Sequence, residues 1–157
     1  MCTYHRPLKN GNIQEFVFEL NRNTYELVNI LGIIFSFTIE DRFVHFTINC
    51  NSFSNQGYGT ALMSIMFDIV NTNYNYVDFI CGRLSTADYY NGNWNISIPF
   101  YLKQKENSFL IKTATLMRYL YTSNSNFNDF FKKYKRYNNY EKFVENIFDG
   151  YIVYEIP

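Results

Sequence analysis

The sequence has few of the features that mark secreted, metal-binding or nucleic-acid-binding proteins. Its three cysteines, Cys2, Cys50 and Cys81, form neither a close-spaced metal pair nor an even set for disulfides. Charged residues make up 18% of the chain and the formal net charge is zero, so no overall field draws it to nucleic acid or to a membrane. No run approaches the ~20 apolar residues of a membrane-spanning helix, and residues 1–12 hold no apolar stretch of secretory length. We therefore expect a cytoplasmic protein without a structural metal site.

Aromatic residues are abundant, at 20% of the chain, with 15 tyrosines and 16 phenylalanines. Together with frequent asparagine, isoleucine and lysine, this bias is what an AT-rich coding sequence gives. It suggests a low-GC bacterium, or one of its phages or plasmids, and says little about mechanism. At 157 residues the chain is most simply one domain, residues 1–157, large enough to bury a proper core.

Residues 43–70 form the stretch around which the chain is organised. Phe43, Val44 and Phe46 are types that suit a buried strand. A polar loop follows, with glycines at 57 and 59. The apolar residues after it recur at intervals of three and four, which predicts a helix with one buried face: Ala61, Leu62, Ile65, Met66 and Ile69.

A loop of this kind leaves unpaired main-chain N–H groups at the start of a helix, where a partial positive charge suits a phosphate. Gly57 and Gly59 can adopt positive φ and let a ligand approach the main chain. The loop lacks the lysine of a nucleotide-triphosphate site and the third glycine of a dinucleotide fingerprint, so neither ligand is favoured. An ordinary tight turn is the alternative interpretation.

At these residues the chain resembles the GNAT superfamily of acyl-CoA-dependent N-acetyltransferases. The family's motif, Gln/Arg-x-x-Gly-x-Gly/Ala, corresponds to residues 54–59, with both glycines present and Ser54 in place of the first residue. The resemblance implies acetyl-CoA as acyl donor, with the CoA pyrophosphate on the loop and the pantetheine arm along the preceding strand. The implied cofactor-binding residues are Ile48, Asn49, Cys50, Ser54, Asn55, Gln56, Gly57, Tyr58, Gly59 and Thr60.

A second match lies in residues 92–103. The family often has an asparagine and then Phe-Tyr on a helix; here Phe100 and Tyr101 match, Asn95 is one residue out of step, and Pro99 is expected to interrupt the helix. The resemblance makes Tyr101 the acid that protonates the leaving thiolate and Asn95 a further cofactor contact. A tyrosine merely packed on a helix is the alternative.

The resemblance implies an α/β (α+β) fold with a mixed, mostly antiparallel central sheet and flanking helices. The resemblance covers roughly residues 33–104. The core of the domain is expected at about residues 13–104, followed by a divergent helical region and a closing strand in 105–157. Typical family members have two strands in that last third, so the helical stretch predicted there is a departure or an insertion.

The general base is the least determined role. His45 lies on the strand before the loop, on the same face as Phe43, Thr47 and Asn49, and can deprotonate an amine near neutral pH. A structural histidine is the competing interpretation. The carboxylates of Glu40, Asp41 and Asp88, acting through water, also stay open.

The remaining pattern predicts a polar N-terminal segment, several strands and helices, and one ambiguous stretch. The predicted strands are 13–20, 33–39, 43–49, 76–81 and 151–156; the predicted helices are 24–30, 94–105 and 127–148; 82–93 is a loop; and 110–121 suits either a helix or a strand. The strands on either side of the loop helix are expected to be parallel.

We expect direct transfer of the acetyl group to an amine, without a covalent enzyme intermediate. The acceptor stays open between a protein amine, an aminoacyl-tRNA and a small molecule. The alternative is an inactive scaffold that serves as a protein-interaction or regulatory module, encoded by a phage or another mobile element. A third possibility is a different α+β fold with an accidental glycine pair.

A basic cluster lies within the predicted helix 127–148 and consists of Lys132, Lys133, Lys135 and Arg136. It could hold a nucleic-acid backbone but is more typical of a solvated helix face.

Overall fold

A computed structural model describes residues 1–50, 53–122, 129–130, 137–139, 141, 143 and 149–156. Over these residues the chain forms eight strands and four helices. The strand pairs within each of its two compact units are antiparallel, which confirms the predicted α+β class. One unit comprises residues 1–77 with Ile156, and the other comprises residues 78–155.

The first unit is a meander of five strands in chain order, followed by one helix. The strands are β1 (Cys2–Pro7), β2 (Ile13–Asn21), β3 (Thr24–Leu27), β4 (Ile34–Ile39) and β5 (Phe43–Asn49), and the helix is α1 (Tyr58–Asn73). Each strand pairs antiparallel with the next. The predicted strands at 13–20, 33–39 and 43–49 are confirmed to within a residue.

One face of this sheet carries the core. Phe16, Phe18, Phe37 and Phe46 are buried there, while their chain neighbours on the opposite face are half-buried or exposed. The five residues predicted for the buried side of α1 are all buried. Met63, Phe67 and Val70 are buried as well, so the helix buries more than the predicted stripe.

Polar contacts fasten α1 to β1 and β3. The Arg6 guanidinium on β1 donates to Ser64 Oγ at 3.2 Å and pairs with the Asp68 carboxylate. At the C-terminal end of the helix, the hydroxyls of Tyr25 and Tyr74 lie 2.9 Å apart. The helix that follows the glycine loop is therefore held along its middle and at its C-terminal end by the first unit's own strands.

The first unit differs from the predictions at two places. Residues 1–12 were predicted only as a polar segment, but Cys2–Pro7 form β1, in which Cys2, Tyr4 and Arg6 alternate onto the half-buried face and Tyr4 pairs with Phe16. Residues 24–30 were expected to form a helix, and this prediction was wrong, since residues 24–27 form β3. The Tyr25 ring stacks on Phe37 at 4.8 Å, and this tertiary contact outweighs the local helical spacing.

The described residues of the second unit form three strands, and the last of these in sequence lies between the other two. The order is β6 (Phe79–Arg83), β8 (Gly150–Glu155), β7 (Ser108–Lys112). The helices are α2 (Thr86–Tyr90), α3 (Trp94–Leu102) and α4 (Thr113–Thr122). The predicted strands at 76–81 and 151–156 are present, the first displaced by about three residues.

Three details of the second unit correct or resolve the predictions. The loop expected at 82–93 contains α2, which begins at an N-cap where Ser85 Oγ accepts from Asp88 N at 3.1 Å. The stretch 110–121, predicted as either a helix or a strand, contains the end of a strand and then a helix, since β7 ends at Lys112 and α4 begins at Thr113. Pro99 lies inside α3 without ending it. Most of the helix predicted at 127–148 lies outside the described residues.

Candidate functional site

The loop between β5 and α1 takes the predicted form at its C-terminal end. Residues 54–57 turn, and Gly57, at φ +92°, is the N-cap of α1. Asn55 also has positive φ, at +63°, a conformation that asparagine adopts more readily than most residues. The first helical bond runs from Ala61 N to Gly57 O at 3.1 Å, and no side chain among the described residues caps the helix. The start of α1 therefore offers main-chain N–H groups of the kind that bind phosphate oxygens.

A turn from the N-terminal hairpin supports this loop. Lys9 N donates to Gln56 O at 3.1 Å, and the turn itself is closed by Leu8 N donating to Asn12 O at 2.8 Å. A Cβ added to Gly57 would lie 3.0 Å from Lys9 N. The absence of a side chain at Gly57 is thus favoured by close packing within the chain as well as by its positive φ.

Sequence reasoning missed the contribution of Lys9. The Asn10-Gly11 pair signals a turn at this place. No local pattern indicates that the turn reaches Gln56, 47 positions along the chain, because that contact depends on how β1 and β2 bring their connection beside α1.

Tyr58 is mainly a packing residue. Its ring lies 4.9 Å from the Phe53 ring and 6.2 Å from that of Phe16, centroid to centroid. Its hydroxyl is 3.5 Å from Gln14 Oε1. A contribution of Tyr58 to ligand binding would therefore come from its main-chain N–H. Ser54, Asn55, Gln56 and Thr60 are exposed, and Gly59 is half-buried.

His45 lies on the face of β5 away from the buried phenylalanines. Its neighbours Val44 and Phe46 are buried, whereas His45 is half-buried and sits opposite Thr38 of β4. Burial lowers the pKa of the imidazole, and the nearby Glu40 carboxylate opposes this effect. His45 is therefore mostly neutral at pH 7, the state that a general base needs.

The end of β5 carries the other residues predicted in the first unit. Ile48 is half-buried on the core face and Asn49 is exposed. Cys50, half-buried, has a pKa raised to about 11 by burial, so its thiol is protonated at neutral pH. A protonated thiol is a poor nucleophile.

Tyr101 and Asn95 belong to the second unit. Asn95 is exposed in the first turn of α3, and Tyr101 is half-buried in its last turn. Pro99 removes the N–H that would bond to the Asn95 carbonyl. Because Asn95 is exposed, its carbonyl can accept a hydrogen bond from water instead, and the helix continues past Pro99. The cleft predicted between the strands that end at Asn49 and Cys81 stays a prediction.

The carboxylates considered as alternative bases occupy different settings. Glu40 and Asp41 are exposed at the tip of the β4–β5 hairpin, and Asp88 is half-buried in α2. Nowhere in the described part of the chain do three or more histidine, cysteine, aspartate or glutamate side chains group as metal ligands. None of its described helices is long and apolar enough to cross a membrane. The basic cluster at 132–136 lies outside the described residues.

Comparisons of the chain with protein-family models, curated proteins and solved structures give no match.

Proposed function

We propose that this chain is an acyl-CoA-dependent N-acetyltransferase that transfers an acetyl group directly to an amine. The observation that carries the proposal is the β5–loop–α1 arrangement. It has left-handed Gly57 at the N-cap, no side-chain cap among the described residues, and a loop braced by Lys9. A helix start of this form suits the pyrophosphate of CoA.

The order of elements supports the same proposal. A β4–β5 hairpin leads into the glycine loop, and α1 and β6 follow; the short helix α2 then precedes α3, the helix that carries Phe100-Tyr101. The two strands that the GNAT family typically has after that helix correspond to β7 and β8. Pro99, expected to interrupt α3, lies within it, so the Phe-Tyr match is on a helix as in the family.

The proposed reaction assigns one proton movement to each of two residues. Acetyl-CoA supplies an acetyl group on a thioester, whose C–S bond breaks as the C–N bond to the amine forms. His45 accepts the proton that the amine loses, and Tyr101 donates a proton to the departing sulfur. A main-chain N–H near Asn49 stabilises the negative charge that develops on the acyl oxygen.

Cys50 does not enter this reaction as a nucleophile. Its pKa, raised to about 11, leaves little thiolate at neutral pH. A route through an acylated cysteine would need an adjacent base to activate the thiol. The direct route therefore fits better. The cytosol, where thiols stay reduced, is the compartment that suits a chain with free Cys2, Cys50 and Cys81.

Calorimetric titration of acetyl-CoA into the wild type and two variants of Thr60 tests the cofactor site. Thr60 is exposed in the first turn of α1, so Thr60→Glu places a carboxylate where it favours the helix but repels a pyrophosphate. Thr60→Gln is the neutral control of nearly the same shape. We expect micromolar binding, equivalent to about 8 kcal/mol, in the wild type and in Thr60→Gln.

For Thr60→Glu we expect affinity at least ~10-fold weaker, equivalent to ~1.4 kcal/mol. Equal affinity of the Glu and Gln variants for acetyl-CoA would show that the pyrophosphate does not bind at this loop. No heat at millimolar acetyl-CoA in the wild type would reject the proposed function itself.

One feature favours a second candidate, a protein-interaction module. Leu31 is 96% exposed on a turn that Asn29 fixes to β2, since its side chain accepts from Val17 N at 2.9 Å and donates to Glu15 O at 3.0 Å. A large apolar side chain exposed to solvent on a turn that is tied to the sheet suits a protein contact. Absence of acetyl-CoA binding, together with a partner lost specifically on Leu31→Asp, would favour this candidate.

A further inference from the structure

The C-terminal end of α3 is closed by hydrogen bonds from residues beyond the helix. The last four carbonyls of an α-helix have no partner within it, and they usually bond to water or capping groups. Here each of the four has a donor. The bonds are Lys103 N to Pro99 O at 3.3 Å, Gln104 Nε2 to Phe100 O at 2.9 Å, Gln104 N to Tyr101 O at 3.3 Å, Tyr154 Oη to Tyr101 O at 2.7 Å and Ser108 Oγ to Leu102 O at 2.9 Å.

The bond from Tyr154 differs from the others in its origin. Lys103, Gln104 and Ser108 are local in sequence, but Tyr154 lies 53 residues after Tyr101, on β8. β8 is the strand between β6 and β7, and Tyr154 pairs there with Ile80 on one side and Ser108 on the other. The hydroxyl that donates to α3 therefore belongs to a residue of β8, the strand between β6 and β7.

Tyr154 is suited to act as a fixed donor. Its side chain is fully buried. Burial, with a smaller contribution from the neighbouring Tyr101, raises the pKa of the phenol well above its ordinary value, so the hydroxyl keeps its proton. Among the described residues, no buried side-chain nitrogen or oxygen lacks a hydrogen-bond partner.

We propose that Tyr154 is a positioning residue for Tyr101, holding the main chain of the proposed acid from the centre of the second unit's sheet. The assignment of a role to Tyr101 rests on the proposed function. The Tyr101 carbonyl receives two donors, one from Gln104 and one from Tyr154, so the main chain from which the Tyr101 side chain projects is restrained twice.

The restraint matters because α3 lacks one of its own bonds close by. Pro99, two residues before Tyr101, has no N–H, so the turn that precedes Tyr101 has one fewer internal bond than a regular helix. A catalytic group must be held within about 0.5 Å of its productive position. The hydrogen bond from Tyr154 on β8 restrains the helix close to the position of the missing bond.

Steady-state kinetics of Tyr154→Phe against the wild type tests the inference, with Ser108→Ala as the matched control. Tyr154→Phe removes one oxygen and keeps the ring. Ser108→Ala removes a donor to Leu102 O, one residue further along the same helix. We expect Tyr154→Phe to lower kcat at least ~10-fold with the KM for acetyl-CoA unchanged, and Ser108→Ala to stay within ~2-fold of the wild type.

A spectroscopic readout that needs no turnover accompanies the kinetics. With 3-fluorotyrosine incorporated at position 101, the wild type and Ser108→Ala are expected to give one sharp ¹⁹F signal. Tyr154→Phe is expected to broaden or split it, at a temperature where circular dichroism shows all three proteins folded. An unchanged ¹⁹F signal in Tyr154→Phe would overturn the inference, as would equal kcat losses in both variants.

The two proposals fail in different ways. If the wild type neither binds acetyl-CoA nor acetylates any amine, the proposed function is lost, and the ¹⁹F comparison still decides whether Tyr154 fixes Tyr101. If the wild type is active and Tyr154→Phe equals it in kcat, only the positioning role is lost.

Discussion

The sheets of the two units differ in how many of their faces are buried. In the first unit, β4 and β5 alternate, with Phe35, Phe37, Val44 and Phe46 buried and the residues between them half-buried or exposed. In the second unit, burial runs without a break over Phe79 to Gly82 of β6 and over the first five residues of β8. The first pattern is that of a sheet with one covered face, and the second is that of a sheet covered on both.

This difference decides where polar chemistry can occur. The uncovered face of β5 leaves room for His45 and Thr47 within reach of solvent. The strands of the second unit offer mainly buried apolar groups and the hydroxyls of Tyr151 and Tyr154, whose pKa values burial raises. The proposed base accordingly lies on a strand, whereas the proposed acid lies on a helix.

The largest effects are expected from alanine substitutions at adjacent positions in β5 and β8, which test whether one face or both faces of each sheet are buried. Phe46→Ala should cost about 3–5 kcal/mol of unfolding free energy, because it leaves a cavity on the covered face. Thr47→Ala, at an exposed position, should stay within about 0.5 kcal/mol. Ile152→Ala in β8 should cost about 2–5 kcal/mol.

The adjacent variant Val153→Ala should also cost well over about 1 kcal/mol, because two buried methyl groups are lost. The measurement is urea unfolding at constant m-value. An alternating result in β8, with the unfolding free energy unchanged at one of the two positions, would contradict the burial of both faces of the second unit's sheet.

Substitution of two glycines with positive φ tests how closely the hairpin turn contacts the glycine loop. Gly57→Ala should destabilise the protein by about 1–3 kcal/mol, since it combines positive φ with a Cβ that lies 3.0 Å from Lys9 N. Gly11→Ala has a similar φ, +86°, but open space around the new Cβ, so it should cost about 1–2 kcal/mol, the strain of the positive φ alone.

The excess cost of Gly57→Ala over Gly11→Ala measures the contact between the hairpin turn and the loop. Lys9→Ala, which keeps the main-chain N–H, should leave stability unchanged. Equal costs for the two glycine variants would show that the turn does not press on the loop.

The smallest expected effect concerns pH. Because burial lowers the pKa of His45 below its ordinary 6.5, the unfolded chain binds its proton more readily than the folded protein does. Unfolding free energy should therefore decrease as the pH falls from about 7 through the folded pKa, and level off below it. His45→Gln should remove this part of the pH dependence.

An NMR titration of the His45 ring carbons gives the folded pKa directly. A value above 6.5 would contradict both the burial of this side chain and its assignment as a base that is neutral at pH 7.

The first unit could largely be predicted from sequence, and the one-sided burial explains why. Alternation along β4 and β5 gives a period of two, and the spacing along α1 gives a helical period. The errors came where the local signal was short or was overridden by packing, as at β1 and at β3, where Tyr25 stacks on Phe37. The contact between Lys9 and Gln56 depends on the folded hairpin and leaves no trace in local sequence.

The second unit was harder for the complementary reason. A strand buried on both faces is a continuous apolar run, which periodicity cannot distinguish from a buried helix, so 110–121 stayed ambiguous although it contains the end of β7 and then α4. Tyr101 could be selected by its resemblance to a family motif. Tyr154 could not, because only the pairing of β8 with β6 and β7 brings its hydroxyl to α3.

The position of β8 also has a consequence for synthesis on the ribosome. The first unit's strands pair in the order in which they emerge, so its sheet can assemble as the chain grows. β6 is complete at Arg83, but the strand that joins it to β7 begins only at Gly150. At about 5–20 residues per second, that interval lasts on the order of 3–13 s, during which the apolar residues of β6, and those of β7 once it is made, have no β8 with which to pair. During synthesis, the strands of the second unit thus wait longer for their pairing partner than those of the first unit.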